Sequence, residues 1–150
     1  MLEGKRIAIT GAASGIGKAA AHLFAVYGAS VLLIDRDPAV SDLATVIDGS
    51  TAHEADITDA AGMEALFAQF GQIDAAFNNA GIEGMGGEMV PIANYPMEEF
   101  RKVQAVNVEG LWNCLGPQMR MFAQQGKGAI VNTSSVMGWL GAPGLAAYSA

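Results

Sequence analysis

An apolar run, Ile7-Ala8-Ile9-Thr10, leads directly into Gly11-Ala12-Ala13-Ser14-Gly15-Ile16-Gly17 and then into residues patterned as a helix. No other feature of the chain restricts its fold as much. The run lacks polar alternation, so it reads as a strand buried on both faces. Gly11 permits a tight turn off that strand, Gly15 lets backbone N–H groups come close to a bound group, and Gly17 allows the helix to pack closely on the sheet. A helix N-terminus reached in this way presents free N–H groups and the positive end of the helix dipole, both suited to phosphate. The spacing is G-x-x-x-G-x-G rather than the commoner G-x-G-x-x-G. Alone, three glycines could mark an ordinary turn. Between a strand and a helix they predict a pyrophosphate site at Gly11, Ser14, Gly15, Ile16 and Gly17.

The rest of the chain repeats the strand-then-helix order. The pattern predicts a helix from Gly15 to Tyr27 closed by Gly28, and a strand over Val31–Ile34. A weak helix over Ala39–Ile47 and a polar strand over Ser50–Ala55 follow. Next come a helix over Ala60–Phe70 ended by Gly71, and a strand over Asp74–Phe77. Gly81–Tyr95, rich in Gly, Met and Pro, reads as a surface loop. Pro96 can open a long helix to about Gln124, which Pro117 is expected to bend or break. Ala129–Asn132 reads as a fifth strand. Repeated β-α-β order implies one α/β domain over residues 1–150, a parallel sheet covered by helices on both faces.

Composition narrows the function. A net charge of −7 excludes nucleic acid or an anionic membrane as the main partner, because both call for clustered Lys and Arg. No apolar segment is long enough to span a bilayer, and no signal-peptide core follows Met1. The single cysteine, Cys114, cannot form an internal disulfide. A soluble, cytoplasmic protein is therefore expected. No metal-ligand set is read, since His22 and His53 have no partner pattern and pass as structural or surface residues. The eight Met residues read as core or loop filler.

Asp35 ends the second strand at about the distance from the glycine turn where an acid meets the adenosine ribose. A carboxylate there accepts from both ribose hydroxyls and repels a 2′-phosphate, which favours NAD over NADP. Arg36 could fold over a 2′-phosphate and keeps the NADP reading open.

These residues resemble the short-chain dehydrogenase/reductase family in its non-extended form. Thr10 to Gly17 is similar to that family's T-G-x-x-x-G-[IL]-G. Asp56-Ile57 resembles the pair that holds the adenine ring. Asn78-Asn79-Ala80-Gly81 matches its N-N-A-G beneath the cofactor, and Asn107 its helical active-site asparagine. Ser135 and Tyr148, thirteen apart, match its catalytic serine and tyrosine. The resemblance implies a Rossmann-type, doubly wound, three-layer αβα fold with strand order 3-2-1-4-5, its C-terminal strands lying outside this chain. It also implies pairing into homodimers or homotetramers through helices such as the one carrying Leu111, Trp112, Leu115, Met119 and Phe122. Intrachain core is an equal reading of that stripe. Trp139 and Leu140 hint at an apolar wall near the reacting carbon.

Hydride exchange with nicotinamide needs a partner that moves the alcohol proton. A tyrosine in water, with pKa about 10, is a poor base at neutral pH. In the family, a lysine four residues after the tyrosine supplies positive charge nearby. Tyr148 would be the general acid/base, Ser135 would donate to the substrate oxygen, and Asn107 would hold a water in the relay. The substrate is expected to be a small secondary alcohol or ketone. Tyr148-Ser149-Ala150 begins the family's Y-x-A-S-K, and the sequence stops before its lysine, so these residues alone are expected to show little activity. A catalytically silent nicotinamide-binding module is the alternative; the Ser135–Tyr148 pair argues against it. An extended-branch epimerase fits the turn spacing less well. Among the site's bland readings, Asp56 could cap the next helix as readily as Thr58 or Asp59. Ser134 is expected to satisfy turn backbone and leave Ser135 to the substrate.

Overall fold

The computed structural model describes all residues, 1–150. The apolar runs pair as five parallel strands: β1 (Arg6–Thr10), β2 (Ser30–Asp35), β3 (Ser50–Glu54), β4 (Ala75–Asn78) and β5 (Ala129–Asn132). Their order is β3-β2-β1-β4-β5. β1 lies at the centre, with Ile9 opposite Leu33 on one side and Phe77 on the other. Four residues of β2, Val31 to Ile34, are buried in succession, as a strand covered on both faces requires.

Alternation of side chains divides the core into two layers. Ile7, Ile9, Val31 and Leu33 face helices α1 (Gly15–Val26) and α2 (Ala39–Val46), where Ala21, Val40 and Leu43 meet them. Ala8, Leu32, Ile34 and Ala76 face the opposite way, against Met63 and Phe67 of α3 (Ala60–Phe70) and Cys114 and Phe122 of α5 (Leu111–Gln125). Complete burial of residues such as Ile9 and Leu33 stabilises the fold by about 1.5–3 kcal/mol each. The result is the expected three-layer, doubly wound Rossmann-type sheet.

Several boundaries depart from the sequence reading. β4 runs one residue later than expected, because the Asp74 carboxylate accepts from the Arg6 N–H at 3.0 Å and from Lys5 at 3.0 Å. The Gly81–Tyr95 segment is not featureless: it holds two short 3-10 turns, and its Val90 forms a parallel bridge with Leu145.

The expected long helix is interrupted, but not at Pro117. Helix α4 spans Met97–Gln104, a π-helical turn occupies Ala105–Gly110, and α5 continues through Pro117 without a break. An inserted residue widens a helix into such a turn, commonly at functional sites. Gly110 closes this one where the helix presses on Ile57; a Cβ there would stand 2.7 Å from the Ile57 side chain.

The expected apolar stripe on α5 is also displaced. Its buried row is Cys114, Pro117, Gln118 and Phe122. Of the five residues read from sequence, only Phe122 joins the core, while Trp112 and Met119 are exposed.

Candidate active site

The C-terminal ends of the strands open into one cleft of about 620 Å³. It lies where the chain, having built β1, β2 and β3 outward, crosses back to place β4 on the other side of β1. In open α/β sheets this reversal leaves a crevice between the diverging turns.

One wall is the glycine turn. Gly11 takes φ +68° to leave β1, and a Cβ there would come within 2.8 Å of the Ala80 backbone. Gly17 presses on the Gly11 carbonyl, 2.0 Å from where its Cβ would stand, so the helix packs on the turn itself. Gly15, at φ +52°, would point a Cβ into open space. Ser14 caps α1 without a side-chain hydrogen bond to it, which leaves the hydroxyl free toward the cleft. Ile16 is exposed on the same wall.

At the end of β2, the Asp35 carboxylate accepts from the Ala13 N–H at 2.8 Å and the Asp37 N–H at 2.9 Å. These two bonds fix its direction and leave lone pairs facing the cleft. Asp56 is not a helix cap. That role falls to Asp59, which accepts from the Gly62 N–H, while Asp56 accepts from the N–H and hydroxyl of Thr58. Arg36 reaches to 3.9 Å from Asp56, a partly exposed pair that sequence did not foresee and that contributes little stability. Asp56, Ile57 and Arg36 all line the cleft.

The floor is the β4 turn. The buried hydroxyl of Thr10 accepts from the N–H groups of Asn79 at 3.1 Å and Ala80 at 3.2 Å. Asn79 in turn accepts from Thr133 at 3.0 Å. Beneath it, Asn78 and Gln118 exchange a reciprocal pair of amide bonds at 2.9 and 2.8 Å. Gln118 is fully buried, and a buried amide needs such partners. Sequence reading missed this residue; its position on the row of Cys114 and Phe122, every fourth residue, was the available signal.

Asn107 occupies the π-helical turn. Its side chain accepts from the Ile82 N–H at 2.9 Å and donates to the Ile82 carbonyl at 2.8 Å. One acceptor and one donor position of the amide are thus committed to the loop after Gly81, which fixes the orientation of the side chain. Gln104, at the end of α4, donates to the Ala147 carbonyl at 3.0 Å.

Ser135 and Tyr148 line the same cleft. The Ser135 hydroxyl oxygen accepts from the Met137 N–H at 3.2 Å, which orients it and leaves its proton available to donate. The expected division of labour is reversed in part: Ser135, not Ser134, satisfies the turn backbone, because its position caps the 3-10 turn at Val136–Gly138. Trp139 and Leu140 are exposed and lie outside the cleft lining. Cys114 is buried in the core, and burial pushes its thiol up to about 12, which removes it as a nucleophile at neutral pH. No group of three or more His, Cys, Asp or Glu side chains stands close enough together to hold a metal ion. No helix is long and apolar enough to cross a membrane.

Comparison with known proteins gives the same architecture and sequence pattern. The chain is 38% identical over 149 residues to a 2,5-dichloro-2,5-cyclohexadiene-1,4-diol dehydrogenase of Sphingobium indicum, covering 95% of this chain and 58% of that enzyme. It is 35% identical over 155 residues to the levodione reductase of Leifsonia aquatica, covering 96% of this chain and 57% of the reductase. Among solved structures, an NAD+-bound xylitol dehydrogenase superposes with a TM-score of 0.91 at 31% identity, over 99% of this chain and 59% of its own. The chain therefore spans somewhat under two thirds of the length of these relatives. The short chain dehydrogenase family pattern matches residues 5–150, and on that match, with the glycine turn and the cleft it opens, the chain belongs to the short-chain dehydrogenase family.

Proposed function

We propose that this protein transfers hydride between NAD(H) and a secondary alcohol or ketone, with Tyr148 as general acid/base. The carrying observation is the convergence in one cleft of the glycine turn, the Asp35 carboxylate and the Ser135–Tyr148 pair. The residues fit a dinucleotide. Gly15 offers open space to a pyrophosphate, the free Ser14 hydroxyl adjoins it, and the helix α1 N-terminus supplies N–H donors. Asp35 would accept from the ribose, and Asp56 with Ile57 would bound the adenine, since all three line the cleft. Asn79, Ala80 and Gly81 line the cleft floor and would lie under the nicotinamide end. The xylitol dehydrogenase neighbour is NAD+-bound and a Brucella melitensis reductase neighbour is complexed with NADH, which supports the same cofactor here.

When bound, NAD accepts or returns a hydride at nicotinamide. Ser135 donates its free hydroxyl proton to the substrate oxygen and stabilises the negative charge that develops there. Tyr148 takes the hydroxyl proton during oxidation and returns it during reduction. Asn107 holds the loop after the cofactor floor through Ile82, and its amide keeps a second N–H and a second lone pair with which to hold a relay water.

The test uses the full-length gene product, assayed for alcohol-dependent reduction of NAD and ketone-dependent oxidation of NADH. Tyr148→Phe should abolish most turnover and leave NADH binding nearly intact; wild-type turnover in that variant would refute the assignment. Assembly into a homodimer through the face carrying Val108, Trp112 and Met119, all exposed, belongs to the same proposal. Light scattering on Trp112→Glu should then report monomers, and an unchanged mass would exclude that face.

A further inference from the structure

We propose that Asn113, in the first turn of α5, is a positioning residue for the adenine end of the cofactor, because its side-chain amide holds the peptide that aims the Asp56 carboxylate. The inference rests on the reading of Asp56 and Ile57 as the residues that bound the adenine.

Between β3 and α3 the chain makes a tight turn from Asp56 to Asp59, closed by the Asp59 N–H on the Asp56 carbonyl at 3.0 Å. The central peptide of this turn joins Ile57 to Thr58. A trans peptide is planar, and its carbonyl and N–H point to opposite sides. Here the Thr58 N–H donates to Oδ1 of Asp56 at 2.9 Å, and the Ile57 carbonyl accepts from Nδ2 of Asn113 at 3.0 Å. The same nitrogen, which carries two protons, reaches the Thr58 carbonyl at 3.4 Å. One amide, 56 residues away in sequence, thus holds two successive carbonyls of the turn.

Other contacts place the turn without setting that plane. The Ala55 N–H donates to the Asp35 carbonyl at 2.9 Å and fixes the entry, while Asp59 accepts from the Gly62 and Met63 N–H groups and fixes the exit. The Ile57 side chain is buried against Gly110. The ends of a four-residue turn can stay in place while its central peptide rotates, which is how the common turn types differ. A full flip would force a positive φ on Thr58, which a β-branched residue resists. Asn113 resists the smaller rotations, because any tilt pulls the Ile57 carbonyl from its donor and the Thr58 N–H from Asp56 together. Helix α5 is a firm support for this, since the next residue, Cys114, is packed in the core with Met63 and Phe67 of α3.

The aim of Asp56 matters for the base it would meet. Oδ1 is occupied by the N–H and the hydroxyl of Thr58, whereas Oδ2 faces Arg36 at 3.9 Å and keeps room to accept from a ligand. Adenine presents an exocyclic amine, a donor, to such an oxygen. Hypoxanthine carries a carbonyl oxygen at the same position, and two acceptors cannot pair. Discrimination between the two bases therefore reports where Asp56 points.

Fluorescence titration of the full-length gene product with NADH and with reduced nicotinamide hypoxanthine dinucleotide tests this. Wild type should bind NADH about tenfold more tightly than the hypoxanthine analogue. Asn113→Leu keeps the bulk and removes both donors; Asn113→Asp keeps the shape and sets acceptors against the two carbonyls. Each should narrow the preference to about threefold or less, with the Asp variant narrowing it further. A wild-type preference in both variants would overturn the proposal. That includes the case where affinity for both dinucleotides falls in step, which marks a merely structural tie. Asp56→Ala is run beside them. If it discriminates the two bases as wild type does, the adenine reading has failed. If it loses the preference while both Asn113 variants keep it, only the present inference has.

Discussion

In β2, four successive residues from Val31 to Ile34 are buried, while β5 forms the edge of the sheet built by residues 1–150 and Ile130 alone is partly covered by them. The two strands are alike in composition and end at the same cleft. They differ in what holds the elements around them. The turns after β1 and β2 rest on a core packed from both faces, so Gly11 and Asp35 inherit their positions from buried Ile9, Leu33 and Ile34. The segments after β4 and β5 rest on polar ties: Thr10 to Asn79 and Ala80, Thr133 to Asn79, Asn107 to Ile82, and Gln104 to Ala147. Within residues 1–150, packing places the strand ends that bear Gly11 and Asp35, the Ala13 and Asp37 N–H groups aim the Asp35 carboxylate, and directional hydrogen bonds hold the segments after β4 and β5. Apolar packing tolerates small shifts, while a hydrogen bond is lost within about an ångström.

The contrast predicts that lesions on the two sides separate stability from turnover. The largest effect is expected at Tyr148. Tyr148→Phe in the full-length gene product should lower kcat by about 10³-fold, on the order of 4 kcal/mol in the barrier. Its urea midpoint should not move; a joint loss of stability would erase the contrast. Leu33→Ala should do the reverse. Removing this fully buried side chain should cost about 3 kcal/mol of stability by chemical denaturation. The turnover per folded molecule should stay close to wild type, and a matching collapse in kcat would show that packing also sets the reacting side.

Asp35→Ala probes the border between the two sides. Fluorescence titration should show wild type binding NADH more tightly than NADPH, and the variant narrowing that preference by about tenfold. Tighter NADPH binding by wild type would overturn the NAD assignment. The smallest effect is at Asp74, below the sheet. The Arg6 N–H and then the Lys5 ammonium hold its carboxyl below the usual 3.8. A depressed folded pKa gives stability that is complete above the unfolded value and lost as pH falls through the folded one. Denaturation across the acid range should therefore give Asp74→Asn a flatter acid limb than wild type, and identical limbs would remove Asp74 from the balance.

The same contrast explains what could be read without coordinates. β1 and β2 were legible because full burial leaves an unbroken apolar run, and the glycine turn because positive φ and close approach both select glycine. β3, polar and at the sheet edge, was legible mainly through the repeating order. The polar ties were not. A glutamine on a helix looks like a solvated residue whether it faces water, as such residues usually do, or a buried carbonyl, as Gln104 does. Asn107 signalled that something local was needed, yet nothing in the sequence pointed to Ile82 as its partner. Ser134 and Ser135 carry the same hydroxyl, and only the turn geometry decides which one accepts from Met137. Pro117 drew attention from the true irregularity, because a π-helical turn has no marker residue comparable to proline.

Cys114 gives the chain a practical property. It is the only thiol in residues 1–150, it is sealed in the core, and its proton is held up to about 12. Alkylating reagents attack thiolates they can reach, so they will pass this one by in the folded molecule. A cysteine introduced on the segment that delivers Tyr148 would then be the one position within these residues to take a fluorophore or spin label. Within residues 1–150, no native thiol would compete for the label.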